Sequence, residues 1–342
     1  MEDLTPRKKR ILQAVVIEYV HSAEPVPSNV IVERYTVGVG PATVRHELAD
    51  MSERGYLEQP HTSAGRIPSD TGYRYYVDNL ADPRLPEGAQ NTIREATRST
   101  EDLDNLLHET CSLLARLTHQ VAIAATLRDS NATLRTISLI GVAPKKALLT
   151  VVFSTGAVET RIVDALPELT LQDLHDLGAA ISESVQGMTI RSLSRAAAPR
   201  LQVRPSLEPM VNGVWKALKQ LCRQLSKGKI YTEGTNMLLG QPEFHRDVGA
   251  LADIVSALDN FDLLREAVDR PGEAQTAITI GRENPHEPLQ RLAIIASRFY
   301  VNDQEAGSLA VMGPTRMSYE TTVPLVQETA KALSQALSRL LD

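Results

Sequence analysis

Residues 55–78 read GYLEQPHTSAGRIPSDTGYRYYVD. The stretch is polar, rich in turn formers and free of any period that would bury one face. Such a segment belongs to a loop, and loops held by a scaffold tend to carry function. Its first part divides into a short strand at Tyr56-Leu57-Glu58, a tight turn from Pro60 to Gly65 and a return at Arg66-Ile67. Ser69 or Asp70 then caps a helix in which Tyr73, Tyr76, Val77 and Leu80 share one apolar face.

What precedes this loop sets its place. Thr5 is a good N-cap with Pro6 at the first helical position. Ile11, Leu12, Val15, Val16, Tyr19 and Val20 then recur at the spacing of a buried helical stripe. Pro25 and Pro27 break the chain, Ser28 caps a short second helix, and the turn TVGVG leads into a third helix, PATVRHELADMSERG, opened by Pro41 and ended by Gly55. Three short helices followed by a strand–turn–strand predict a winged helix-turn-helix.

The third helix can be projected from spacing alone. Val44, Leu48 and Met51 fall on one face, so Ala42, His46, Ala49 and Glu53 fall opposite, flanked by Thr43 and Arg45. The N-terminal half of the outer face is small, polar or basic, which suits a helix entering the major groove of DNA by its N-terminus. Bulk charge offers no support. The chain carries a net charge of −6, and residues 1–80 hold nine Lys+Arg against eleven Asp+Glu. What counts is where the cations sit: Arg7-Lys8-Lys9-Arg10 open the first helix, and Arg45, Arg54, Arg66 and Arg74 follow through the third helix, the wing and the next helix. In the wing, Gln59, His61, Thr62, Ser63 and Arg66 offer donors for phosphate or minor-groove contacts.

The 342 residues suffice for two or three domains, and hydrophobic content of 42% with 23% charged residues describes a globular chain. No apolar run approaches a membrane span, and MEDLTPRKKR lacks the apolar stretch of a signal peptide. Cys111 and Cys222, the only cysteines, both lie in helical patterns. The expected location is the cytoplasm, with no membrane partner.

Beyond the Pro-rich stretch at 82–90, a helical segment runs to about residue 127, with Leu103, Leu107, Thr110, Leu114, Leu117, Val121 and Ala124 in a heptad-like seam. That seam either pairs two subunits or packs on its own domain. The pattern then switches to strands at LRTISLIGV, ALLTVVF and VETRIV. Helices follow at 171–228 and at about 246–268, then strands TAITIG, RLAIIASRFYV and SLAVMG, and a last helix from about residue 320 to 340. The fold class is therefore α+β multidomain. The segment GPTRM, 313–317, joins a strand to a helix, as a structural connection or as an anion site near the helix start.

No P-loop, G-x-S-x-G elbow, H-E-x-x-H or paired C-x-x-C is present. His108 and Cys111 could share a metal with His119 only if further ligands were supplied. No catalytic residue, metal or cofactor is expected.

GYLEQPHTSAGRIPSDTGYRYYVD resembles, almost word for word, the signature segment of the HrcA family of bacterial heat-inducible transcription repressors, and PATVRHELADMSERGYL resembles that family's recognition helix. SLIGVAPKKALLTVVFSTGAVETR, EGTNMLLGQPEF and GSLAVMGPTRMSY extend the resemblance over nearly the whole chain, 171–228 least distinctively. Gly40-Pro41 stands where the family usually has two serines, and His46 where asparagine is usual. The resemblance implies a winged-helix domain at 1–82, a linker or helical segment at 83–128, a GAF-like domain at 129–170 and 229–342, and an inserted dimerisation domain at 171–228. It further implies a homodimer that binds the CIRCE inverted repeat, blocks transcription of chaperone operons and depends on the GroE chaperonin for its active form. Thr43, Arg45 and His46 would meet base edges with Ala42 permitting close approach, while Arg7, Lys8, Lys9, His61, Thr62, Ser63 and Arg66 would hold the backbone or the wing's groove. A metabolite-sensing regulator using the GAF-like domain, or an enzyme with a regulatory N-terminus, are the alternatives.

Overall fold

A computed structural model describes residues 4–341 apart from 63, 81, 82, 84, 99–101, 127–131, 200, 202, 226, 227, 246 and 270–273. Two compact units are present: Met1–Ala125 with Ile230–Asp342, and Thr126–Lys229.

The first unit begins with α1 (Pro6–Ser22), α2 (Ser28–Arg34) and α3 (Pro41–Glu53), followed by the two-residue strands β1 (Leu57–Glu58) and β2 (Ile67–Pro68) and by α4 (Asp70–Asp78). Thr5 caps α1 as expected, its hydroxyl accepting the Lys8 amide. Ser28 does not cap α2. Pro27 holds that position without a side-chain bond, and Ser28 is the first helical residue, buried beneath the wing's approach. Ser69 caps α4: its hydroxyl accepts the Gly72 amide at 3.1 Å and donates to the Gly55 carbonyl at 2.6 Å. β1 and β2 pair antiparallel, and Val26 bridges Arg66 through two backbone bonds of 2.8 and 2.9 Å, adding a third rung. Gly65 makes this approach possible, because a Cβ there would land on the Val26 carbonyl.

α5 (Ala89–Ala96) and α6 (Leu103–Thr118) follow, then β3 (Val121–Thr126). Here the expected helical seam ends early. Val121 and Ala124 lie in a strand, because VAIAAT is buried on both sides, as central strands of a doubly covered sheet are. The preceding part of the seam, Leu107, Thr110 and Leu114, is buried within its own unit against α13.

The second unit contains β4 (Leu134–Ala143), β5 (Lys146–Phe153) and β6 (Val158–Asp164) in one antiparallel sheet, with α7 (Leu171–Val185), α8 (Ile190–Arg195) and α9 (Glu208–Leu225). Leu174, Leu177 and Ile181 of α7 and Val214, Trp215 and Leu218 of α9 close one core with Leu139, Leu149 and Val151 of the sheet. The strands 134–164 thus pack with the helices after them, and do not join the sheet of the first unit. The division expected at 171 falls at Thr126 instead, because α7 needs a sheet face to cover and β4 and β5 supply it. The expected limits at 82, 128 and 129 lie on residues outside those described.

The chain then returns to the first unit with β7 (Ile230–Glu233), α10 (Pro242–His245), α11 (Val248–Leu258), α12 (Phe261–Val268), β8 (Thr276–Ile280), β9 (Leu292–Val301), β10 (Gln304–Pro314) and α13 (Tyr319–Leu341). The single helix expected at 246–268 is split, since the Asn260 side chain accepts the Leu263 amide and caps a new helix. The five-stranded sheet has the order β7-β3-β10-β9-β8. Alternate residues face opposite layers. Ala122, Ala124, Ile295, Leu309 and Val311 pack toward α6 and α13, while Val121, Ile123, Ile294, Ala310 and Met312 pack toward α11 and α12. The first of these cores is continuous with Ile11, Val15, Val44 and Met51 of the winged helix, so the two parts share one hydrophobic body.

Gly65→Ala forces a methyl into the Val26 backbone. The expected cost is about 1–3 kcal/mol of unfolding free energy by thermal or denaturant melting, and an unchanged melting curve would mean the wing strand is not held there.

Candidate nucleic-acid interface

Burial of Val44, Leu48 and Met51 fixes the rotation of α3. Ala42, Thr43, Arg45 and His46 are all exposed, as the projection predicts. Arg45 and His46 make no hydrogen bond or ion pair with other described residues. Arg45 also lines a cleft of about 350 Å³ between α2, α3 and the wing, shared with Asn29, Gln59, Thr62 and Arg66. Asn29 escaped the sequence reading because α2 offered no periodicity to orient it.

The basic start of α1 is used differently from its sequence appearance. The Lys8 ammonium lies 2.6 Å from Asp50 and 3.6 Å from Glu47 of α3, and Arg7 lies 3.6 Å from Glu47. The hydrogen bond from Lys8 holds the Asp50 carboxyl below the usual carboxylate range. Lys9 sits 5.8 Å from the Tyr75 ring centre, a cation–π distance. The Arg7 and Lys8 contacts neutralise the acidic flank of α3. Its N-terminal half therefore presents Arg45 and His46 with the nearest α3 carboxylates already paired. Arg10, one helical step beyond Lys9, is exposed and has no partner among the described residues.

The wing is braced from inside. The Gln59 amide donates to the carbonyls of Thr62 at 2.9 Å and Ala64 at 3.1 Å, so this side chain shapes the tip. His61 and Thr62 stand exposed at that tip, and Ser63 lies outside the described residues. Arg66 Nε donates to Ser52 Oγ at 2.8 Å, tying the wing to the end of α3 and leaving the outer guanidinium nitrogens toward the cleft.

Arg74 does not join this surface. Its guanidinium donates to Glu283 at 2.8 and 2.5 Å, to the Ile278 carbonyl at 2.7 Å and to Asp78 at 3.3 Å. Asp70 accepts the Arg282 amide at 2.9 Å, across from Gly281, whose φ of 54° and missing Cβ leave room for that carboxylate. Tyr76 donates to Glu320 at 2.6 Å, and Tyr73 packs on Tyr319 with ring centres 6.0 Å apart. In 313–317, Arg316 donates to the Val20 carbonyl near the end of α1 at 3.1 Å, to Gln241 at 3.0 Å and to Glu243, which makes this segment a structural connection. The second half of the signature stretch thus fastens the winged helix to the five-stranded sheet.

The possible metal ligands go elsewhere. His108 contacts Glu233 at 3.2 Å, and Cys111 is fully buried with its thiol pushed well up by desolvation. No group of three or more His, Cys, Asp or Glu among the described residues is arranged to hold a metal. Among those residues no helix is long and apolar enough to cross a membrane.

Two variants separate the contributions at this junction. Arg74→Ala strips Glu283 of its charged partner and is expected to cost about 2 kcal/mol in denaturant unfolding. Tyr73→Phe removes a buried hydroxyl that has no hydrogen-bond partner among the described residues, so stability should rise by about 1 kcal/mol. A loss from Tyr73→Phe would show that the hydroxyl is satisfied in solution.

Comparison with known proteins agrees with this geometry. The sequence profile of the HrcA protein C-terminal domain matches residues 104–323. The heat-inducible transcription repressor HrcA of Moorella thermoacetica is 36% identical over 338 residues, spanning 98% of each chain. Its counterpart from Desulforamulus reducens is 34% identical over 339 residues, spanning 98% of this chain and 97% of that one. A crystal structure of a hypothetical protein, 19% identical, shares the fold with a TM-score of 0.67, covering 99% of this chain and 100% of that chain. The chain belongs to the HrcA family of heat-inducible transcription repressors, negative regulators of heat-shock genes.

Proposed function

We propose that the chain represses by binding double-stranded DNA as a homodimer, each winged helix reading one half of the CIRCE inverted repeat and the pair blocking the promoter. Arg45 carries this proposal. It is an exposed guanidinium on the N-terminal half of α3, beside the wing and without a protein partner among the described residues. Thr43, Arg45 and His46 would contact base edges, and Ala42 would let the helix approach. His61, Thr62 and Ser63 at the wing tip, with Arg66 behind them, would hold phosphates or the minor groove. Of the α1 cations, Arg7 and Lys9 would add phosphate contacts. Lys8, already bonded to Asp50, would act chiefly by positioning α3. No catalytic step is involved.

A homodimer accounts for the outer face of the second unit's sheet. Ile140, Leu148 and Ile162 lie in register across β4, β5 and β6; Ser138, Thr150 and Thr160 form the next row, and Thr136, Val152 and Val158 the third. This face carries no charged side chain in those rows, and Ile162 and Val158 are 67% and 59% exposed. Antiparallel sheets normally turn a polar, charged face to water, so an uncharged one with exposed isoleucine and valine favours a self-complementary contact between two copies about a two-fold axis. The inserted unit would then be the dimerisation module, and the five-stranded unit the GAF-like domain. Dependence on the GroE chaperonin fits the topology: β3 must wait for β10, made near the other end of the chain, before the central sheet can close.

Fluorescence anisotropy at fixed salt with a CIRCE duplex, a half-site and a scrambled duplex tests the proposal. Tight binding to the full repeat alone is expected. Equal weak binding to all three, unchanged by added GroE, would refute it. Arg45→Ala should cost about 1–3 kcal/mol and relax preference at one base position; a loss that is uniform across sequences would move Arg45 to a phosphate. Ile162→Lys should turn a dimer into a monomer by sedimentation and abolish the advantage of the full repeat over the half-site. A dimer that persists would place the interface elsewhere.

A further inference from the structure

The β9–β10 hairpin turns through Asn302 and Asp303, both left-handed at φ 47° and 63°. α13 pins this turn: the Tyr300 amide donates to Ser334 Oγ at 2.9 Å and the Asn302 amide to Ser338 Oγ at 3.1 Å. α5 packs against α13 on the other side, with Gln90 donating to Glu328 at 3.0 Å. Between these walls opens a cleft of about 610 Å³, lined by Arg94, Arg98, Arg339, Tyr300, Asp303 and Ser338 among others. Its size is that of a small-ligand site.

Its charge is out of keeping with the rest of the chain. Three exposed arginines line it, Arg339 with its Nε on the Gln335 carbonyl of its own helix, and none has a carboxylate partner among the described residues, in a protein whose net charge is −6. Elsewhere in the same unit Arg74, Arg298 and Arg316 face carboxylates, whereas Arg10 and Arg45 stand unpaired among the described residues as isolated surface cations. Among the described residues of the lining Asp303 is the only acid, which leaves those residues an excess of two positive charges. Like charges gathered in one concavity repel, and an anion of matching charge relieves that repulsion. Arginine forks suit phosphate oxygens in particular.

We propose that this cleft binds a small anion carrying two or more phosphate groups. The site belongs to the five-stranded unit and does not rest on the DNA-binding proposal. A cleft walled by a pinned hairpin, with an acid in its lining, favours a compact ligand over a nucleic-acid backbone.

Isothermal titration of the full chain with inorganic tripolyphosphate at constant ionic strength tests this, with orthophosphate as the weaker comparison. Saturable binding of one anion per chain is expected, accompanied by a rise in Tm, since a ligand of the folded state alone must stabilise it. The double variant Arg94→Gln with Arg339→Gln should weaken binding by at least about tenfold, the equivalent of one lost charge-assisted hydrogen bond. Arg195→Gln, an exposed arginine in the other unit, should leave it unchanged. If the double variant melts early without ligand, Arg98→Gln alone makes the same comparison. No saturable heat, or equal weakening by Arg195→Gln, overturns the proposal. So does competition by a non-operator duplex together with loss of duplex binding in the double variant, which would make the cleft part of a DNA track.

Discussion

Arg74 is the joint on which the first unit depends. From the middle of α4 it reaches two carboxylates and the Ile278 carbonyl of β8, using all three nitrogens of the guanidinium. A lysine could supply the charge but not this fork. Around it, Asp70 receives a backbone amide across Gly281, Tyr76 reaches Glu320 and Arg316 reaches back to α1. Polar contacts of this kind fix orientation where apolar packing alone would allow sliding. The winged helix therefore shares a continuous core with the five-stranded sheet and is held against it at defined points.

The same economy of charge explains how a slightly acidic N-terminal region can present a basic helix start. Cations of α1 are matched to acids on the flank of α3, and their attraction holds the two helices together. Arg45 remains outside that pairing. Counting charges over 80 residues averages these two populations and misses the separation, which exists only once the helices have packed.

The inserted unit solves a different problem. Its single sheet needs a cover on each face, and α7 and α9 cover one. The other carries three uncharged rows of Ile, Leu, Val, Ser and Thr in register across three strands. The sequence pattern of VETRIV and ALLTVVF already indicates strands. It cannot indicate that the outward half is uncharged as a patch, since that depends on register between strands.

Local spacing was enough to determine α1, α3 and the wing, the rotation of α3, and β8, β9, β10 and the final helix, but not β7. Each follows from helix and strand periods, Pro and Gly punctuation and capping chemistry, all short-range effects written in consecutive residues. The signature stretch was enough to identify the family. Only tertiary structure decided that Val121 and Ala124 are strand residues, that the strands 134–164 pack with the insert, that Lys8 and Arg74 are structural cations and that Arg94, Arg98 and Arg339 share a cleft. Those outcomes turn on partners far away in the chain. The side chain's type is set by the sequence, whereas the charge, face or hydrogen bond it meets is set by the fold.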